Sequence, residues 1–123
     1  MEIIGLIKEY NQKNAKSYFD YQKNCLYDHK VQILNYLQSG ICFAVTMKVV
    51  QSLIPNDKNI IGGISYYTDG YWIWPNYILY YFEKESIELP KDFITSILQK
   101  KLPPQNKIDT AEAVNFLKES DIT

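Results

Sequence analysis

Cys25 and His29 are the two side chains whose types and spacing could support catalysis. Residues four apart meet on one face of a helix, and a thiolate beside an imidazole is the nucleophile arrangement of cysteine hydrolases. The pair has no evident third residue to orient the imidazole, and the segment before Asp28 lacks a clear helical period. We therefore expect a coincidental spacing and a protein that is not an enzyme, and a hydrolase using this pair is kept as a third hypothesis.

The rest of the sequence carries no motif for a metal or a cofactor. Cys25 and Cys42 lack the C-x-x-C spacing of zinc sites, and the chain contains a single histidine. A glycine-rich phosphate loop and a G-x-S-x-G elbow are both missing. We expect no metal, no cofactor and two buried free thiols.

Length and charge narrow the class of protein further. The chain has 123 residues, with 13 basic and 14 acidic side chains and a formal net charge of −1. This length fits one domain, residues 1–123, and the near-neutral charge argues against a nucleic-acid partner. The first residues lack the features of a secretory signal, and the most apolar stretch, 41–54, is too short to span a bilayer. We expect a cytoplasmic protein with no membrane contact.

Apolar stripes at helical spacing predict four helices. Ile33, Leu34 and Leu37 form one stripe between Asp28, which can cap a helix, and Gly40, which can end one in the left-handed conformation. This pattern predicts a helix at about 29–39. Further stripes predict helices at about 76–85 after Pro75, at 90–100 before Pro103-Pro104, and at 110–119 after a capping box at Asp109 and Glu112.

Alternating apolar residues predict a three-stranded antiparallel sheet at about 41–54, 60–67 and 71–74, and hence an α+β fold. Gly62-Gly63 indicates a bulge or a close backbone approach in the second strand. Asp69-Gly70 predicts a two-residue type I′ turn that places Tyr67 opposite Trp72. The Asp69 carboxylate is expected to accept hydrogen bonds from its own turn. Residues 1–27 have no assigned element.

Aromatic residues make up nine of the seventeen positions from Tyr66 to Phe82. Such residues dominate both cores and contact surfaces. One interpretation makes Trp72 and Trp74 part of the joint between the hairpin and the helix that follows it. The alternative exposes Tyr67, Trp72 and Trp74 as a stacking platform of a small-ligand or carbohydrate-binding module. Both interpretations stay open at this level.

The segment Thr68 to Pro75 carries the sharpest motif, which continues in Leu79-Tyr80-Tyr81 and in Leu89-Pro90 with Phe93. The pattern T-D-G-x-W-x-W, L-x-Y-Y and L-P-x-x-F resembles small bacterial immunity proteins of polymorphic and contact-dependent toxin systems. The resemblance covers positions 28–98, and the chain departs from it at Ser86, where the pattern favours histidine or tyrosine. Its signature residues here are Asp69, Gly70, Trp72, Trp74 and Pro75.

The resemblance implies a non-enzymatic cytoplasmic protein that binds one cognate toxin domain, often a nuclease, and blocks its active site or substrate channel. An acidic run between the second and third predicted helices suits a basic partner, because charge complementarity speeds encounter and rejects wrong partners. Tyrosines near that run would add contact area if their rings and hydroxyls were exposed. The predicted partner-binding residues are Glu83, Glu85, Glu88, Asp92, Tyr77 and Tyr81.

Overall fold

The computed structural model describes residues 1–100 and 110–120, and the described residues form four α-helices and one four-stranded sheet. The helices are α1 (Lys30–Gln38), α2 (Tyr77–Glu85), α3 (Lys91–Lys100) and α4 (Thr110–Glu119). The strands are β1 (Glu2–Ile3), β2 (Ile41–Gln51), β3 (Ile60–Thr68) and β4 (Trp72–Pro75), in the spatial order β1-β4-β3-β2.

The α+β class and the four helices are confirmed, and each helix boundary lies within one residue of its predicted position. Asp28 does not cap α1, because the N-cap residue is His29, whose side chain makes no capping hydrogen bond. The predicted capping box at Asp109 and the predicted helix end at Pro103-Pro104 lie outside the described residues.

The predicted three-stranded antiparallel sheet is wrong in one respect, because the sheet is mixed and has a fourth strand. β2, β3 and β4 pair antiparallel as predicted, whereas β1 pairs parallel with β4. The amide of Glu2 donates to the Tyr71 carbonyl at 3.1 Å, and the amide of Ile4 donates to the Ile73 carbonyl at 2.9 Å. A two-residue strand is too short to show an alternating pattern, so the sequence gives no sign of it.

The hairpin between β3 and β4 has a wider turn than predicted. Tyr67 lies opposite Trp74 rather than Trp72, and Gly70 (φ 102°) has a positive φ whereas Asp69 does not. The Asp69 carboxylate accepts from the amides of Tyr71 (2.9 Å) and Trp72 (2.8 Å), so its predicted role in the turn is confirmed. Trp72 and Trp74 are two residues apart on β4 and therefore lie on the same face of the sheet.

The two tryptophans join the sheet to α1 and α3. The Phe93 ring of α3 lies 5.3 Å from the Trp72 ring and 5.8 Å from the Trp74 ring, centroid to centroid. The Trp74 ring also lies 6.1 Å from Tyr36, and its indole N–H donates to the Leu37 carbonyl at 3.1 Å. Both tryptophans are core residues, but the helices that they contact in these ring pairs are α1 and α3 rather than the predicted α2.

Gly40 allows the Trp74 ring to approach the backbone. A Cβ atom built on Gly40 would lie 2.4 Å from Cζ2 of Trp74 and 3.2 Å from Cβ of Tyr67. Gly40 does not have a positive φ, so the predicted left-handed helix end is wrong. The residue is required for close packing, since no side chain fits between α1 and the indole.

Gly63 also permits a close approach, as predicted for Gly62-Gly63. A Cβ atom on Gly63 would lie 3.2 Å from the Thr46 carbonyl oxygen of β2. The pairing of β2 with β3 shifts register between Val45 and Val49, where β2 carries the additional residues. The bulge bends β2 at the open edge of the sheet.

The contact between Gly40 and Trp74 predicts a large effect of a single methyl group. Gly40→Ala should lower the free energy of unfolding by about 1–3 kcal/mol, because the methyl group overpacks the contact. Urea unfolding of the two proteins measures the difference. In a double-mutant cycle, Trp74→Phe removes the part of the ring that clashes, so the two effects should be less than additive. Additive effects would show that the clash is not the cause.

Candidate functional site

Six of the nine aromatic residues from Tyr66 to Phe82 are buried in the core. Trp72 is 4% exposed, and Trp74, Tyr77 and Tyr81 are fully buried. The predicted stacking platform is therefore wrong, because two of its three residues cannot meet a ligand. The prediction that Tyr77 and Tyr81 contact a partner is also wrong, because neither reaches the surface.

The acidic run divides into two half-buried carboxylates with side-chain partners and two exposed carboxylates. The carboxylate of Glu85 accepts from the Tyr18 hydroxyl, and that of Glu88 accepts from the ammonium group of Lys16 at 2.5 Å. Glu83 and Asp92 are exposed. Of the four carboxylates, only those of Glu83 and Asp92 belong to exposed residues, whereas Glu85 and Glu88 are half-buried.

Backbone hydrogen bonds hold the same segment against the N-terminal part of the chain. The amides of Asn24 and Cys25 donate to the carbonyls of Glu85 and Ser86 at 2.6 and 3.1 Å. The amide of Glu88 donates to the Gln22 carbonyl at 2.9 Å. The acidic segment is thus anchored through both its side chains and its backbone.

The contacts of Glu88 also change its ionisation. The hydrogen bond from Lys16 lowers the pKa of the Glu88 carboxyl, although partial burial opposes this effect. The amide of Gln22 donates to the same carboxylate at 3.1 Å. The ion pair lies at the surface, with 45% of the Lys16 side chain and 33% of the Glu88 side chain exposed, and Lys16 partly neutralises the charge of Glu88 there.

A second polar cluster lies under α2 and is built from tyrosines and one glutamine. The Gln12 carbonyl oxygen accepts from the Ile7 amide at 2.8 Å and from the Tyr77 hydroxyl. Its amide nitrogen donates to the Tyr66 hydroxyl at 3.0 Å. Gln12 is 4% exposed, and its hydrogen bonds connect the N-terminal segment to β3 and α2.

Tyr10 and Tyr81 extend this cluster toward the end of β2. The Tyr10 hydroxyl donates to the Gln51 carbonyl at 2.7 Å, and the Leu53 amide donates to the Tyr81 hydroxyl at 3.0 Å. The two hydroxyl oxygens lie 2.5 Å apart. Because Tyr10 has already given its single proton to Gln51, Tyr81 is the donor in this pair.

Asp69 links the hairpin turn to α1. The Tyr36 hydroxyl donates to Oδ2 of Asp69 at 2.5 Å, while Oδ1 accepts the two turn amides. Burial raises the pKa of Tyr36, and the hydrogen bond to Asp69 raises it further. The signature residue Asp69 therefore has a structural role.

Cys25 and His29 are not placed on a shared helix. Cys25 precedes α1 in a non-helical segment, and its thiol lies 3.8 Å from the Gln22 carbonyl oxygen. Both cysteines are free as predicted, but Cys42 is exposed and Cys25 is half-buried, so their predicted burial is wrong. The geometry on which the hydrolase hypothesis depends is therefore not formed.

A strip of apolar side chains on β2 faces solvent. Val45, Met47 and Val49 are 76%, 97% and 63% exposed, and Ile60 at the start of β3 is 71% exposed. Val45 lies opposite Ser65 and Val49 lies opposite Gly63. Neither of these β3 residues has a large side chain that could cover the valine opposite it.

Sequence reasoning missed the N-terminal residues that build these clusters. Gln12, Tyr10 and Tyr18 lie in the part of the chain that had no assigned element. Their partners lie between 41 and 71 residues away in sequence. The one available signal was the density of tyrosines in a polar segment, since buried tyrosines need a partner for the hydroxyl.

Within 1–100 and 110–120, no group of three or more histidine, cysteine or acidic residues is arranged to hold a metal ion. In the same ranges, none of the helices has the length and apolar character that crossing a membrane requires. No protein-family model matches the chain, and neither a curated protein nor a solved structure matches it. The resemblance to immunity proteins stays a prediction.

The link from Tyr36 to Asp69 predicts a measurable loss of stability. Tyr36→Phe should lower the free energy of unfolding by about 1.5–3 kcal/mol, because it removes a hydrogen bond to a buried carboxylate. Tyr71→Phe deletes the same atom from a half-exposed ring and should change stability by less than about 0.5 kcal/mol. Equal effects of the two changes in urea unfolding would contradict this role for Asp69.

The buried tyrosines predict a loss of stability in alkali. Burial raises the pKa of eight tyrosines, and that of Tyr21 reaches about 12. The eight are Tyr10, Tyr18, Tyr21, Tyr27, Tyr36, Tyr66, Tyr77 and Tyr81. Above a pH of about 10 the unfolded chain releases these protons while the folded chain keeps them, so the free energy of unfolding falls as pH rises.

Ultraviolet absorbance of tyrosinate, recorded together with near-ultraviolet circular dichroism, measures this titration. Ionisation of the buried tyrosines should be delayed and should coincide with the loss of tertiary structure. In concentrated urea the same groups should ionise near a pH of about 10. Normal ionisation of all tyrosines in a protein that keeps its dichroism would refute the prediction.

Proposed function

We propose that the chain is a non-enzymatic immunity-type protein that binds and neutralises a cognate bacterial toxin domain in the cytoplasm. The toxin is proposed to be a nuclease, because an acidic contact surface suits a domain whose own surface binds nucleic acid. The contact surface is proposed to include Glu83 and Asp92.

The division of the acidic run is the observation that carries this proposal. Glu85 and Glu88 are tied to Tyr18 and Lys16, and these ties fix the backbone that carries Glu83 and Asp92. A surface that is ordered before binding loses less conformational entropy when the partner arrives. The two exposed carboxylates therefore offer a basic partner a preorganised target.

The signature residues support the same proposal in a different way. Asp69, Trp72 and Trp74 are buried and hold the hairpin against α1 and α3. A family that shares such residues would share a scaffold, while the exposed residues beside it would differ with each toxin. Specificity is then carried by side chains outside the motif.

Charge reversal tests the proposed surface. The binding partner for the experiment is the C-terminal domain of a large toxin encoded directly upstream of this chain. Glu83→Lys together with Asp92→Lys should reduce the association rate by about tenfold or more at low ionic strength, because electrostatic steering is lost. The difference should shrink as salt shortens the Debye length to about 8 Å near physiological ionic strength.

A control places one charge reversal, half of that change in charge, on another helix. Glu119 is an exposed carboxylate on α4, so Glu119→Lys alters the net charge without altering the acidic segment. It should leave the association rate within about twofold, since a single distant charge is screened. Stopped-flow kinetics showing equal effects at both places would reject the acidic surface, and failure of the toxin domain to bind the unaltered chain would reject the function.

A further inference from the structure

A cavity of about 230 Å³ opens beside the tyrosine and glutamine cluster, away from the acidic segment. Gln12 and Tyr66 line it, together with Lys48, Met47 and Ile64. Gln12 and Tyr66 are both almost fully buried, whereas Met47 and Lys48 are exposed. The cavity therefore joins a polar interior to the surface of β2.

The hydrogen bonds of Gln12 fix which end of its amide meets Tyr66. The Ile7 amide can only donate, so the atom that it contacts at 2.8 Å must be the carbonyl oxygen of Gln12. That oxygen also accepts from the Tyr77 hydroxyl, so both lone pairs of the Gln12 carbonyl oxygen are occupied. The amide nitrogen of Gln12 must then point toward Tyr66, where it lies 3.0 Å from the hydroxyl oxygen.

This orientation leaves donor capacity unused beside the cavity. The Gln12 nitrogen donates, so the Tyr66 oxygen accepts and its own proton is directed elsewhere. Each of these two atoms has the other as its partner, and among the residues that the structure describes neither the Tyr66 proton nor the second Gln12 amide proton has a further acceptor. Buried donors without acceptors are costly, so an acceptor in the cavity would be stabilised.

The remaining lining specifies the character of that acceptor. Lys48 is one of the lining residues, and its ammonium group donates to the Tyr10 carbonyl and keeps two further protons and a positive charge. Ile64 and Met47 supply apolar contact surface. Three kinds of donor, one of them cationic, next to an apolar wall match a carboxylate that carries a hydrocarbon group.

We propose that this cavity is a binding site for a small apolar carboxylate. One carboxylate oxygen accepts from the Tyr66 hydroxyl and the Gln12 amide, Lys48 balances the charge, and the hydrocarbon group packs on Ile64 and Met47. The volume is below the range of about 300–1,000 Å³ that is typical of drug-sized ligands, so a single ring or a short chain fits. The site does not depend on toxin binding.

Titration with 4-fluorobenzoate, followed by the fluorine NMR signal of the ligand, tests the proposal. Saturable binding to one site is expected. Tyr66→Phe and Lys48→Met should each weaken it by about tenfold or more, because each removes a donor to a charged group. Lys58→Met makes the same change at another exposed lysine and should leave the affinity within about twofold. The compound 4-fluorobenzyl alcohol has a shape similar to that of 4-fluorobenzoate but no charge. It should bind at least about tenfold more weakly than 4-fluorobenzoate.

Each alternative result overturns the proposal. A signal that never saturates means that the buried donors meet only water, or that the probe binds nonspecifically. Equal loss with Lys58→Met means that the lysines act through net charge. Because Tyr66→Phe removes a buried group, its circular dichroism is compared with that of the unaltered chain, and Lys48→Met at the exposed rim decides the question if the first variant is misfolded.

Discussion

The contact of the Trp74 indole with α1 is the interaction on which the rest of the fold depends. The ring lies where a side chain at residue 40 would have to be, and its N–H donates to the Leu37 carbonyl in the last turn of the helix. Carbonyls in a last turn have no partner within their own helix, so the indole both packs the helix and satisfies its end. The Phe93 ring of α3 packs against the same indole ring. One buried side chain thereby sets the positions of a strand and two helices.

Polar groups in the interior hold the N-terminal segment in place. This segment contributes only a two-residue strand and two single helical turns, so it has little regular structure of its own. Its attachment rests on Gln12, Tyr10 and Tyr18, whose partners lie on β3, α2 and the end of β2. A buried hydroxyl or amide that lost its partner would cost about 1–3 kcal/mol, so the network strongly disfavours other placements of the segment.

Local patterns in the sequence predicted the helices well and the polar network poorly. The stripe of Phe93, Ile94, Ile97 and Leu98 identifies α3 because helical period is a property of neighbouring residues. The turn role of Asp69 was also predictable, because its amide partners lie two and three residues away. Tyr77 illustrates the failure, because the sequence predicts that it contacts a partner, whereas it is fully buried. The hydroxyl meets Gln12, 65 residues away, and a single sequence holds no signal for that pairing.

The separation of buried from exposed polar groups has a consequence for recognition. The residues that resemble an immunity-protein motif include the buried Trp74 and Asp69. Substitutions at these two residues would alter the whole scaffold. Glu83 and Asp92 are exposed, so substitutions there change the surface charge at little cost to folding, apart from the favourable position of the Asp92 carboxylate in the first turn of α3. Glu85 and Glu88 have both roles, because they contribute negative charge to the acidic segment and also anchor it through Tyr18 and Lys16. The proposed toxin-binding surface would acquire new specificity at Glu83 and Asp92, while Glu85 and Glu88 would keep the backbone geometry constant.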